Sequence, residues 1–441
     1  MKKYIIKGGK KLSGTVKISG SKNVVLKAIV AACMTNETVT LENVPQISDV
    51  HYMLEMVKDF GGEIIQTQNT LKITVPEIKD IRLPLETAAK MRASSLFFAP
   101  FLLRNGSAEI PNPGGDRIGA RRIDMHIDGL SKMGVSITTR DDGYFYASGD
   151  NIIGADYAFK KNTHTGTEQM ILGAVMAKGE TILSNCALEP EVDELIELLN
   201  LMGGNVKREN GRTIRIQGVE KLHGAKYTIK ADRNEAVTFA IASALLGGSV
   251  WLTDVDSYLL REFIDEFRKA GGDVEENENH DLRFFITGKI LPTNITTEIY
   301  PGFMTDWQGP WCVLMTQAEG ESIIHETIYE DRFQYVYELK KMGAAIELFN
   351  PKVENPEEFY NFNYEDCTSE TRHAIKIIGK VELTNAVLEM HDLRAGATVV
   401  LASLLAKGES VIYGIDQIER GYERFDERLK NLGADIEYIN E

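Results

Sequence analysis

The chain has 441 residues, 43% of them hydrophobic and only 12 prolines, enough apolar material for a large core spread over two or three domains. A formal net charge of -16 argues against a nucleic-acid backbone as partner, and the longest apolar run, Leu96 to Leu103, is far shorter than a membrane span. Only Tyr4 to Ile6 follow Lys2 and Lys3 as a possible signal core, and Cys33, Cys186, Cys312 and Cys367 show neither CxxC nor Cys/His spacing. The expectation is a cytoplasmic protein with reduced thiols, no metal and no membrane partner.

In chain order, an alanine-rich apolar helix runs from Lys22 to Ala32, a strand lies near Thr38 to Leu41, and an amphipathic helix spans Asp49 to Asp59. Gly61-Gly62 and a further strand follow. That order returns about every seventy residues, and the second helix of each unit ends at a glycine: Gly61, Gly134, Gly203, Gly271, Gly343 and Gly433. Glycine accepts the left-handed conformation that closes a helix, so six such endings predict six repeats. Gly9 to Gly14, Gly218 to Gly224 and Gly379 to Asn385 read as turns at sheet edges. Three units per lobe divide the chain near Lys230. Pro351 to Thr371 reads as an acidic, aromatic surface excursion with no assigned function.

The first helix of each unit is almost wholly apolar, as in Ala236 to Leu246 and Ala395 to Ala406, which predicts burial. Polar residues collect at its start: Lys22-Asn23, Arg92, Thr167-Glu168, Arg233, Asp306 and Arg394. Unpaired N–H groups and the helix dipole favour anions there, so a phosphate-binding site is one reading, and caps and rim charges are the other, which suits Glu168 and Arg233. Glu189 to Asp193 reads as the solvated start of an amphipathic helix, and Trp307 and Trp311, at i and i+4, as packing residues. Pro111 to Arg122 is a separate signal. Two prolines fix its entry, Gly114, Gly115 and Gly119 allow positive φ, and Asp116 rides among Arg117, Arg121 and Arg122 on a mobile tip; taken alone, these twelve residues read equally as an ordinary solvated turn between two strands.

At Gly20-Ser21-Lys22-Asn23, Pro113 to Arg121, Pro301 to Asp306 and Arg420-Gly421-Tyr422-Glu423-Arg424 the chain closely resembles the UDP-N-acetylglucosamine enolpyruvyl transferases, nearly end to end. The resemblance implies an inside-out α/β fold of two lobes with three repeated units each and the active site between them. The first lobe would be residues 22–230 with the loop 111–122, the second residues 1–21 plus 231–441. It also implies transfer of the enolpyruvyl group of phosphoenolpyruvate to the 3-hydroxyl of the nucleotide sugar, without a cofactor. The small-molecule substrates would be the only partners, and the chain a monomer.

Residue by residue, the resemblance puts Asp116 where most members have cysteine, as the acid at the methylene carbon, and makes Asp306 the base for the sugar hydroxyl. An N-cap is the alternative reading of Asp306. Lys22, Arg121, Arg394 and Arg420 would hold the phosphate and carboxylate of phosphoenolpyruvate. Asn23 and Arg92 would border the sugar. Ile123-Asp124-Met125 resembles the uridine-binding segment, though Asp124 can also be read as a helix cap. Ile328 completes the implied binding set, and Asp392 would orient Arg394. The chain departs from the commoner Ser-Val-Gly-Ala-Thr-Glu at Thr163-His164-Thr165-Gly166-Thr167-Glu168, where His164 would donate to the diphosphate. That departure, with the insertion 351–371, leaves open a paralogue for another nucleotide sugar; a shikimate-phosphate enzyme is disfavoured by Asn23 and the long Pro-Gly-Gly-Asp loop, and a non-catalytic nucleotide-sugar sensor by the presence of both Asp116 and Asp306. A loop aspartate also implies resistance to fosfomycin, the epoxide that alkylates the loop cysteine.

Overall fold

Each of the six glycines that end the repeats has positive φ, between 86° and 106°. At five of the endings, Gly62, Val135, Gly204, Ala344 and Ala434, the next N–H donates to the carbonyl five residues back, closing the helix. The computed structural model describes residues 2–116 and 118–440; Arg117, named above beside Asp116, lies outside the described residues. The observed helices Lys22–Ala32, Ser48–Asp59, Arg233–Leu246 and Leu393–Leu405 match the sequence expectations to within three residues at each end.

The chain forms two compact units. One comprises Gly20–Asp116 and Arg122–Lys230; the other comprises Met1–Ser19, Arg117–Arg121 and Ala231–Glu441. Each unit holds three sheets. Those of the 20–230 unit contain Val39–Glu42, Ser107–Pro111 and Glu180–Ser184, and those of the 231–441 unit contain Gly248–Thr253, Glu321–His325 and Glu409–Tyr413. The sheets stay open: the described strands make five four-stranded sheets and one three-stranded sheet, with no closed barrel among them.

The repeat has a physical core, a central helix joining two parallel strands. Asp156–Ala158 pairs parallel with Glu180–Ser184 across His164–Ala174, and Val387–Glu389 with Glu409–Tyr413 across Leu393–Leu405. In two sheets the parallel partner comes from far along the chain: Leu12–Lys17 pairs with Gly248–Thr253, and Lys226–Thr228 with Val39–Glu42.

The central helices are buried on every side, which is why their sequences are apolar all round. Only Asn23 in Lys22–Ala32, Leu245 in Arg233–Leu246 and Leu405 in Leu393–Leu405 escape full burial. Trp307 and Trp311 are packing residues with no exposure, edge-on to Phe303 and Phe263. Truncating either to alanine costs about 3–5 kcal/mol. Within 351–371, Tyr360 and Phe362 are buried and stack on one another at 4.7 Å, so the excursion is anchored by its aromatics. No described helix is long and apolar enough to cross a membrane.

Candidate active site

In the 231–441 unit the sequence candidates converge on Asp306. The short turn Thr305–Trp307 opens without a side-chain cap, so Asp306 is not an N-cap. Its Oδ1 accepts from Arg332 Nη2 at 2.8 Å and its Oδ2 from Arg394 Nε at 3.1 Å. Both guanidiniums are buried, at 4% and 8% side-chain exposure, while the carboxylate keeps 21%. Arg394 also donates to the Tyr422 hydroxyl at 3.1 Å, itself 2.8 Å from Thr238 Oγ1. Burial works against the charge of Arg394, but Tyr422, Asp306 and Asp232 outweigh it and hold the guanidinium above its ordinary range.

Asp392 departs from its expected role. Its Oδ1 accepts from Arg394 N at 2.8 Å and Ala395 N at 3.0 Å, so it caps the helix carrying Arg394, and the carboxylate that meets the guanidinium is Asp306. Arg420 is half-buried at the end of the turn Asp416–Glu419, 3.4 Å from Gln417 Oε1. Arg233 is no rim charge. It is 2% exposed, with its guanidinium 4.8 Å from the Tyr300 ring, and the cap of its helix is Asp232.

The loop residues 118–121 belong to this same unit. Ala120 N donates to Glu330 Oε1 at 2.5 Å, Asp331 N donates to Ile118 O at 3.2 Å, and the Arg121 guanidinium lies 5.4 Å from the centre of the Tyr329 ring. Gly115 and Gly119 have positive φ as expected. Gly114 does not: it is required by close approach, since a Cβ there would meet Ala89 O at 1.5 Å.

The 20–230 unit holds Lys22, Asn23, Arg92, Asp116, Ile123, Asp124, Met125 and His164. Lys22 Nζ is 2.7 Å from Asp49 Oδ2, with both side chains under 10% exposed. Arg92 stands close enough to His126 to help lower its pKa, after the larger effect of burial; together they take it to about 3. His126 Nε2 lies 3.0 Å from Thr165 Oγ1, beside His164. Asp124 is exposed in the first turn of the helix Asp124–Lys132, whose cap position is Ile123, so it is not a cap. The Met125 carbonyl accepts from Tyr157 at 3.2 Å, and Asp116 is half-buried.

His164 points to protein. Its Nε2 is 3.1 Å from Glu168 Oε1, and Glu168 Oε2 is 3.3 Å from Lys27 Nζ. Burial opposes protonation of His164, but Glu168 outweighs it and raises the imidazole above its ordinary value. Glu168 is fully buried, which corrects its reading as a rim charge; Thr163 caps that helix instead. Glu189 and Glu191 are buried too, against the expected solvated helix start, because Pro190–Leu201 packs its first turn inward. Asp49, Arg332, Glu330 and Tyr422 went unassigned in the sequence reading. For Glu330 and Arg332 the visible signal is the charge run Glu330-Asp331-Arg332, five residues beyond the strand Glu321–His325, and Tyr422 lies within the motif Arg420 to Arg424.

A family model described as EPSP synthase (3-phosphoshikimate 1-carboxyvinyltransferase) matches residues 6–429. A UDP-N-acetylglucosamine 1-carboxyvinyltransferase from Acidobacterium capsulatum is 39% identical over 443 residues, covering 100% of this chain and 96% of the relative. One from Solibacter usitatus is 40% identical over 440 residues, covering 100% of both. Among solved structures, the enolpyruvyl transferase NikO from Streptomyces tendae superposes with a TM-score of 0.86 at 22% identity over 99% of both chains. EPSP synthase from Acinetobacter baumannii gives 0.73 at 20% identity over 100% of both, and these two show the fold alone. With a buried-helix start bearing an arginine-clamped carboxylate, six repeated units, and relatives matched from end to end, the chain belongs to the EPSP synthase family of enolpyruvyl (carboxyvinyl) transferases.

Proposed function

We propose that the chain transfers the enolpyruvyl group of phosphoenolpyruvate to the 3-hydroxyl of UDP-N-acetylglucosamine and releases phosphate, the first committed step of peptidoglycan synthesis. One observation carries this reading: the Asp306 carboxylate is held at the start of a buried helix by the two buried guanidiniums of Arg332 and Arg394. A base beside an anion clamp is what addition of a hydroxyl to a vinyl phosphate needs.

In the proposed sequence, Asp116 gives a proton to the methylene carbon of phosphoenolpyruvate, and the adjacent carbon becomes an oxocarbenium centre. Asp306 takes the proton from the sugar hydroxyl as its oxygen bonds to that carbon. Asp116, now a carboxylate, takes a proton back from the resulting methyl group, which restores the double bond as the C–O bond to phosphate breaks, and the proton gained by Asp306 leaves with the phosphate. Lys22, Arg121, Arg394 and Arg420 offset the phosphate and carboxylate charges, and an arriving anion draws Arg394 from Asp306, freeing an oxygen to act as base. Asn23, Arg92, Ile123, Asp124, Met125 and Ile328 take the nucleotide sugar.

A second reading, an acceptor other than UDP-N-acetylglucosamine, is favoured by one observation: His164, where the family commonly has valine, is engaged by the buried Glu168. Phosphate release from phosphoenolpyruvate with UDP-N-acetylglucosamine, UDP-N-acetylgalactosamine or shikimate phosphate as acceptor separates the two. Turnover with the first acceptor alone is the expected result; turnover only with another refutes the assignment of substrate, and none with any refutes the enzyme reading.

A further inference from the structure

Glu326, at the end of the strand Glu321–His325, has no solvent exposure and lies outside the residues given a chemical role above. Its two oxygens serve two different elements. Oε2 accepts from Thr305 Oγ1 at 2.8 Å and Gln308 Nε2 at 2.9 Å, flanking Asp306 on both sides in sequence. Oε1 accepts from the backbone N–H groups of Ile328 at 2.7 Å and Tyr329 at 3.1 Å. The segment so held carries Glu330, which binds Ala120 of the loop, and Arg332, which binds Asp306. Arg121 and Arg332 also lie 5.4 and 5.8 Å from the Tyr329 ring centre.

We infer that Glu326 is a positioning residue that sets two features at once: the carboxylate of Asp306 and the seat of the loop at Glu330. The inference rests on the proposed role of Asp306. A buried carboxylate left without donors is costly, and here four donors fix it in one rotamer, so the distance between the two elements becomes the width of one carboxylate. Burial pushes its pKa up, while Arg332, the Ile328 and Tyr329 amides and the Thr305 hydroxyl pull against that. An amide cannot replace it. Gln308 has its own carbonyl oxygen engaged by the Tyr335 hydroxyl at 2.7 Å, so its NH2 faces Glu326, and the backbone amides on the other side cannot turn. Glutamine at 326 therefore sets an NH2 against donors on one side or the other, and one element is released.

The test is Glu326→Gln, read by steady-state kinetics and by amide hydrogen exchange on the full chain. The expected result is a kcat lowered by about tenfold or more, a KM for UDP-N-acetylglucosamine within about threefold of normal, and faster exchange at Ile328, Tyr329 or Ala120, with the helix Leu393–Leu405 unchanged. A purely structural role predicts a lower melting temperature with normal kcat per folded molecule, and that outcome overturns the inference. So does a kcat loss with unchanged exchange at all three amides. Inactivity of the unmodified enzyme with every acceptor overturns the functional reading instead, and exchange, which needs no substrate, still decides whether Glu326 holds the seat.

Discussion

Gly119→Ala should disable the loop without touching either core. Gly119 sits at φ 142°, and a Cβ built on it would lie 2.2 Å from Glu330 Oε2 and 2.3 Å from its Cδ. Forcing alanine into a glycine-only backbone region costs about 1–3 kcal/mol. Glu330 must also swing aside and give up the Ala120 N–H, a charge-assisted bond contributing about 1.5–3 kcal/mol. The two effects share one displacement and do not add fully, so the docked arrangement is disfavoured by about 3–5 kcal/mol, or roughly 150- to 5,000-fold. If turnover needs the docked loop, kcat falls by about two orders of magnitude, limited proteolysis cuts at 111–122 more readily, and the melting temperature moves by no more than about 2 °C. A kcat within threefold of normal with unchanged proteolysis would refute the reasoning and leave the Glu330 contact without consequence.

Asp306→Asn should keep sugar binding within about tenfold yet lower turnover by on the order of a hundredfold, measured by calorimetry and phosphate release; near-normal turnover removes Asp306 as the base. Asp116→Cys should stay active, extend activity to higher pH and become inactivated by fosfomycin, whereas Asp116→Asn should be nearly inactive; time-dependent inactivation of the unmodified enzyme would contradict this. His126, held near 3 by burial and Arg92, stays neutral in the folded chain while the unfolded chain takes up a proton below its ordinary 6.5. Its contribution to stability is therefore full above pH 6.5 and is lost as pH falls toward 3, by about 2–3 kcal/mol at pH 4.5. Urea melts of the unmodified chain and His126→Gln at pH 7 and 4.5 should show a steeper acid loss in the former; parallel losses would count against a buried neutral imidazole.

The repeat was legible because glycine at a helix end is a local requirement, met six times by backbone conformation alone. The apolar helices were legible for a related reason, since burial on all sides keeps most positions of each helix apolar. Charged residues at helix starts were harder. Glu168, Arg233, Glu189 and Glu191 look like solvated caps in sequence, and their burial depends on Lys27, Tyr300 and other partners that chain order does not bring near. Asp306 and Arg332 stand 26 positions apart, and only folding turns them into a pair. Asp392 shows the converse. Its place two residues before Arg394 pointed to the side chain, while the nearer groups are the backbone amides of the following turn.

The pairing of early strands with late ones sets an order of events during synthesis. The 20–230 unit has all its strands once Thr228 has been made, whereas Leu12–Lys17 waits for Gly248–Thr253 and Lys2–Lys7 for Glu409–Tyr413 and Asp435–Asn440. At ribosomal speeds of roughly 5–20 residues per second, the first strand stays unpaired for about 20–80 s. A bare β-forming segment is an invitation to another chain, and a row of lysines is a common guard against it. Lys2, Lys3, Lys7, Lys10, Lys11 and Lys17 stud this stretch, and in the finished fold Lys2 meets Glu419 at 2.7 Å and Lys17 meets Asp254 at 3.0 Å. The same charges thus guard this stretch while its partners are being made and afterwards lie against the carboxylates of those later segments.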